Sequence, residues 1–333
     1  MRKLSVAVCL GFLCAASSTA APPLPPALQP YVHDGHYDPG DYGWMRGAFP
    51  GASATDKATF DAVTAWVNAC FAADQAQLRA ELKTMGIDNP SMQQLGLRDP
   101  LCLAVAFMPL GRASSYAELQ KDAAEARPYI AGYSFAVHTL RRMTDGRGSL
   151  TDQLKNRVLA DQLVRIRWGE GHWSDAPRLS PGGKALLDAQ LGAAMAEVDD
   201  ANTAWLKPIV AHGGWPILSQ AGQEAFHDTW TLVQHADADP AFQLQVLRLM
   251  EPQVAKGELD KQNYALLLDR VTLKTTGKQR YGTQMTCTAG KRAPEPVEDM
   301  AGLESRRAAM GLPAMADYLR SMEQMMGACP PTP

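Results

Sequence analysis

The 333-residue sequence contains no apolar run long enough to cross a bilayer, which takes about 20 residues. The run from Leu4 to about Ala16 follows Arg2 and Lys3 and ends before Ser17-Ser18-Thr19-Ala20. That three-part layout is a secretory signal, with cleavage expected after Ala20, so residues 1–20 are read as a signal peptide and the mature chain as periplasmic or secreted, without a membrane span. Cluster-forming Lys and Arg are missing too. Loss of Arg2 and Lys3 moves the formal net charge from −3 to −5, and this mildly acidic balance argues against a nucleic-acid or anionic-membrane partner. No glycine-rich phosphate loop, dinucleotide fingerprint or zinc-protease helix motif occurs. No cofactor is therefore expected.

Cysteine is scarce. Of six, two fall in the signal, leaving Cys70, Cys102, Cys287 and Cys329. They come in none of the close pairs that structural zinc sites use, so no metal site is expected, and an even number in an oxidising compartment reads as disulfides. Three pairings are open. The nearest-neighbour choice joins Cys70 to Cys102 and Cys287 to Cys329.

What is present reads as mainly α, a bundle-like array of helices with a small hairpin or ordered loop near 272–288. Residues 21–51 form a Pro/Gly-rich lead-in, with Ala21-Pro22-Pro23-Leu24-Pro25-Pro26 expected as an extended linker and regular structure only after it. An N-terminal helical region (52–149) follows. Its first helix is marked by Phe60, Val63, Trp66, Val67, Cys70 and Phe71 at helical spacing after an Asp/Thr-capped start near Thr55. A helix from Tyr116 to Thr144 is expected to break near Pro128, and another spans Thr151 to Trp168. In the C-terminal domain (150–326; tail 327–333) the clearest helix lies between Gly183 and Val210, where Leu187, Leu191, Met195, Val198, Trp205 and Ile209 draw one apolar stripe.

Asn202 shares that stripe and, being buried there, must find partners, either as helix-to-helix glue or as a site residue. The next helix, from about Ser219 to His235, carries His227, Thr231, Gln234 and His235 on its polar face. By itself the helical wheel puts that face in solvent, although a covering segment would turn it into a cleft wall. Helices from Asp239-Pro240 to Lys256 and from Asp260 through Val271 come next, then a helical pair over Val297–Met326 broken at Gly311-Leu312-Pro313. Five methionines of that pair, Met310, Met315, Met322, Met325 and Met326, read as core filler.

Seven short motifs follow one another in the second half: Asp161-Gln162 with Arg165; Asp199 with Asn202; Gly214-Trp215-Pro216; Gln234-His235-Ala236-Asp237; Asp269-Arg270; Tyr281-Gly282-Thr283-Gln284; and Arg306-Arg307 with Gly311-Leu312. In this order and spacing the chain resembles, over about Thr151 to Tyr318, a bacterial domain-of-unknown-function family. The resemblance implies candidate positions and no mechanism.

Those positions are polar types that active sites use. His235, whose imidazole titrates nearest neutrality, suits a general base. Asp269 or Asp237 would orient its ring, Arg270 would hold a carboxylate or phosphate through its two-pronged donors, and Tyr281 or Gln284 would donate to a developing oxyanion. On this reading His235, Asp269 and Tyr281 are catalytic, while Arg270, Gln284, Gln234, Asn202, Asp199, Trp215, Asp161 and Arg165 bind. The leading expectation is a hydrolase acting on a small molecule or peptide through a His-centred polar cleft. The alternative is a non-catalytic module that binds a ligand or protein in the same cleft. A third account makes the Asp-Arg pairs structural.

Overall fold

A computed structural model describes residues 22–91, 97–107, 113–169, 179–215 and 218–329. The signal segment, Pro216 of the Gly-Trp-Pro motif and residues 330–333 lie outside the described residues. The architecture is mainly helical, with two small antiparallel hairpins among the described residues. The helices are α1 (Ala54–Thr84), α2 (Pro100–Ala106), α3 (Tyr116–Thr144), α4 (Leu150–Gly169), α5 (Pro181–Gly213), α6 (Leu218–His235), α7 (Pro240–Val254), α8 (Lys261–Thr276), α9 (Leu303–Ala309) and α10 (Met315–Met326). The hairpins are β1 (Val32–His33) with β2 (His36–Tyr37), and β3 (Met285–Thr288) with β4 (Lys291–Pro294).

Several boundaries differ from the sequence reading for identifiable reasons. The lead-in is no extended linker: it forms two 3-10 turns, Pro26–Tyr31 and Gly43–Ala48, and buries Leu28, Tyr42, Trp44 and Met45 against α1. Its aromatic and aliphatic side chains outweigh the prolines, because burying each large one stabilises by about 1.5 to 3 kcal/mol. Helix α1 starts one residue earlier than expected, on a reciprocal capping box between Ser53 and Asp56. Helix α3 continues through Pro128, which is exposed, so water can take up the carbonyl that the ring leaves unbonded.

The segment Thr272–Thr276 belongs to α8, not to the hairpin. Thr272, Thr275 and Thr276 donate their hydroxyls to carbonyls four residues back, at 2.8, 2.9 and 2.8 Å, which lets β-branched threonines stay helical. Gly277, at φ 75°, ends the helix. In the C-terminal pair Met310 is buried, whereas Met325 and Met326 are exposed. Helix α10 fully buries no residue; Met315 and Met322 are half-buried, and the end of the Met315 side chain lies against Gly282.

Two hydrophobic cores share one long helix. The N-terminal half of α5 packs Leu186, Leu187 and Leu191 into a core built with α1, α2, α3 and the lead-in. Its C-terminal half packs Leu206 and Val210 into a second core with α4, α6, α7 and α8. At 1.5 Å per residue its 33 residues reach about 50 Å, enough to serve both. The end of α1 adds a third contact, where Leu78 and Leu82 meet Ala241 of α7. The disulfide Cys70–Cys102 ties α2 to α1, and Cys287–Cys329 ties the second hairpin to the chain after α10, with Cα separations of 6.2 and 5.6 Å. This is the nearest-neighbour pairing. Among the described residues no helix is long and apolar enough to cross a membrane.

Candidate functional site

Where α5 passes from one core to the other, a cavity of about 590 Å³ opens. Leu97, Leu103 and Phe107 close it from the N-terminal region; Met195, Asp199, Asp200 and Lys207 line it from α5; Arg165 reaches in from α4; Asp237 and Asp239 come from the turn after α6, Arg270, Leu273 and Lys274 from α8, and Gln284 from the second hairpin. Gly192 shapes one wall: a Cβ there would meet the Phe107 ring at 3.2 Å, so the missing side chain lets the ring lie close to the helix.

Two charge clusters stand on these walls. In the first, the Arg165 guanidinium reaches both oxygens of Asp199, at 2.8 and 3.0 Å, and Asp161 at 3.1 Å. Asp161 is wholly buried and also accepts from His235 Nδ1, at 2.9 and 3.0 Å, and from Gln162 Nε2 at 2.8 Å. The chain His235–Asp161–Arg165–Asp199 thus runs from the protein interior to the cavity wall. Burial lowers the His235 pKa from its ordinary value; the Asp161 bond opposes this, and the neighbouring Arg165 and Arg270 assist it. The neutral imidazole then carries its hydrogen on Nδ1 and its lone pair on Nε2. Asp199 is pushed up to about 7, burial outweighing the attraction of Arg165.

In the second cluster Asp237 bonds to both Arg270 and Lys274, the latter at 2.6 Å, and Lys274 Nζ also donates to the Asp237 backbone carbonyl at 2.7 Å. Two cations sharing one carboxylate hold the Asp237 pKa well below the carboxylate range although burial acts the other way. The Asp237 side chain is nonetheless 43% exposed, since it faces the cavity. Asp239, beside it, caps α7 by accepting from Phe242 N at 3.0 Å, and pairs with Lys207.

Not every expected residue joins this cavity. Asp269 does not orient His235. It is fully buried and its two oxygens accept three backbone N–H groups, from Arg280, Tyr281 and Thr283, each at 2.8 Å. It is a clamp for the turn after α8, and the ring of His235 is held by Asp161 instead. Tyr281 is also displaced from the expected oxyanion position: its ring packs with Ala265, Met310 and Leu312, and its carbonyl accepts from the buried Arg307 at 2.6 Å. The cause is the clamp itself, which draws the 280–283 turn onto α8 and away from the polar face of α6.

That face is covered, not solvated, at Thr231, which is buried, and at half-buried Gln234 and His235; His227 is exposed. Asn202 accepts from Arg157 Nη1 at 3.2 Å and so links α5 to α4 away from the cavity lining. Trp215 is buried edge-on against Phe226, 5.6 Å between ring centres, and is likewise outside the lining. Gln234 presents its backbone carbonyl to Gln243 Nε2 at 3.1 Å. Of the expected site residues, Arg165, Asp199, Arg270 and Gln284 line the cavity, while His235 and Asp161 stand behind Arg165. Among the described residues no group of three or more His, Cys, Asp or Glu is set to hold a metal ion.

Lys207, Lys274, Asp200 and Asp239 were missed as site residues. A periodicity signal existed: Lys274 follows Arg270 by four and Lys207 follows Asp199 by eight, each pair sharing one helix face. The wall from the N-terminal region carried no such signal, because it depends on contacts far apart in the chain.

Residues 149–329 match the Family of unknown function (DUF6624), and the chain belongs to that family. It matches no curated protein and no solved structure.

Proposed function

We propose that the cavity is a binding site for a small organic ligand with an apolar body and charged groups. What supports this is the conjunction of an open-mouthed cavity of suitable size with ionic residues of the matched region on its walls, Arg165, Asp199, Asp237 and Arg270, and an apolar lining of Leu97, Leu103, Phe107, Met195 and Leu273. Ligand sites generally have this make-up, a cavity of about 300 to 1,000 Å³ with apolar lining and a few placed polar groups. The test is a thermal-shift screen of the purified mature protein against a metabolite library. A compound should raise the melting temperature of the wild type and not that of Arg270→Ala; a screen in which every stabilising compound acts equally on both proteins removes the reading.

A second reading, hydrolysis, is favoured by the His235–Asp161 pair, which leaves Nε2 as a free base. It ranks below binding because His235 lies behind Arg165 and outside the cavity lining. His235→Ala should abolish turnover in a hydrolase screen if this reading holds, whereas a binder has no turnover to lose and keeps its ligand-dependent melting shift.

The chain is proposed to act outside the cytoplasm. The Arg2-Lys3 start, the apolar run after it and the two disulfides support export. N-terminal sequencing of the protein expressed with its own leader should return Ala21 as the first residue.

A further inference from the structure

The α8 and α5 sides of the cavity differ in what they leave unsatisfied. On the α8 side two cations share the single carboxylate of Asp237. Arg270 makes one hydrogen bond among the described residues, through Nη1 to Asp237, so Nη2 is uncommitted; Gln284 beside it donates Nε2 to Thr283 at 3.2 Å. This side has positive charge and hydrogen-bond capacity to spare. On the α5 side Asp199 is paired with the guanidinium of Arg165, which also reaches back to Asp161. Lys207 is bonded to Asp239. Asp200 is exposed and has neither hydrogen bond nor ion pair among the described residues. Here one carboxylate is left without a bonded cation. Met195, Leu273 and the apolar side chains of the N-terminal region line the same cavity.

Resting on the binding reading above, we propose that the ligand is a short apolar peptide with both ends free, its carboxylate met by Arg270 and Lys274 and its ammonium by Asp200 and Asp199. A carboxylate suits the planar donor fork of arginine. An ammonium supplies the bonded cation that Asp200 lacks. A dipeptide has its charged ends separated by a few bonds and carries two side chains for the apolar lining, and a cavity of about 590 Å³ has room for it. The raised pKa of Asp199, caused first by burial, fits the same picture, as does that of Asp200, raised first by partial desolvation at the cavity although the residue as a whole is exposed. An ammonium brought beside them favours their ionised forms, so binding should release protons.

The test uses isothermal titration calorimetry on the mature protein with three probes: leucyl-leucine, its N-acetyl derivative and its C-terminal amide. Leucyl-leucine is expected to bind at least about tenfold more tightly than either blocked form, the scale of one lost charge-assisted hydrogen bond. Near pH 6, titrations in two buffers of different ionisation enthalpy should reveal proton release on binding the free dipeptide and none on binding the acetylated one. Asp200→Asn, a change at an exposed position, should reduce the preference for the free amine while leaving the preference for the free carboxylate. Equal affinity for all three probes overturns the proposal. If none of the three binds but another compound stabilises the wild type and not Arg270→Ala, the peptide inference falls and the cleft reading stands. If no compound does so, both fall.

Discussion

Asp269 and Asp237 are both aspartates in family motifs, yet they serve different ends. Asp269 has all its acceptor capacity engaged by backbone N–H groups of one turn. Arg307, also fully buried, does the matching work from the other side of that turn, donating to the carbonyls of Tyr281 and Pro313. Asp237 instead meets charged side chains on the wall of a cavity, and remains accessible there. A polar residue that satisfies backbone is fixing chain geometry; one balanced against other side chains at a cavity can exchange a partner for a ligand. The family's polar motifs thus divide into a structural set around the 279–283 turn and a candidate site set around α5 and α8.

The largest effect should come from breaking the structural set. Asp269→Ala leaves three N–H groups without an acceptor, two of them buried, and at about 1 to 3 kcal/mol for each buried group the loss should be about 3 kcal/mol, read by urea denaturation. Asp269→Asn, which keeps one acceptor oxygen, should lose less, and is the variant to compare should the alanine protein not fold. Ligand affinity per folded molecule should stay unchanged in the asparagine variant. A preserved melting temperature in Asp269→Ala would erase the distinction between the two sets.

Next in size is Arg270→Ala on the site side, expected to cost about 2 kcal/mol, the range for one hydrogen bond to a charged group. Lys274 still holds Asp237 there, which limits the loss. The same substitution should abolish the ligand-dependent melting shift. The comparison sharpens when the two variants are set side by side: one loses stability and keeps binding, the other loses binding out of proportion to stability.

The sequence made the helical class, α5 to α8 and the order of the motifs legible, because apolar stripes, caps and prolines act locally. Asp239 and Asp260 cap their helices as the residue pattern indicates. What it could not show was which aspartate meets His235. Asp161 and Asp269 are equally plausible from composition, and the choice depends on α4 packing beside α6 while Asp269 turns toward residues 280–283. The lead-in misled for a similar reason: its prolines are a local signal for an extended chain, whereas Leu28, Trp44 and Met45 gain their stability from a core assembled by α1 to α3 and α5.

A smaller effect concerns Asp199. Its folded-state pKa, about 7, stands above the ordinary 3.8. The folded protein therefore holds this proton more tightly than the unfolded chain does, and the contribution is fully present below pH 3.8 and lost as pH rises through about 7. Asp199→Asn should remove that loss. Between pH 4 and 7 its stability should fall less with rising pH than the wild type's. Parallel pH profiles for the two proteins would contradict this.

His235 should give the smallest effect, and with the opposite sign. Burial puts its folded pKa below the ordinary 6.5, so between those two values the unfolded chain binds more protons than the folded one. The contribution is complete above pH 6.5 and is lost as pH falls through the folded value. Titration of the imidazole carbon-bound protons by NMR should place the His235 midpoint below the ordinary 6.5. Asp161→Asn should lower it further, because the carboxylate is the partner that favours the charged ring. A midpoint above 6.5 would mean that Asp161 outweighs burial and the flanking guanidiniums, leaving a ring largely protonated near neutrality with no lone pair on Nε2. The hydrolytic reading would then fail, and the binding reading, which asks nothing of His235 beyond holding Asp161 and Arg165 in place, would remain.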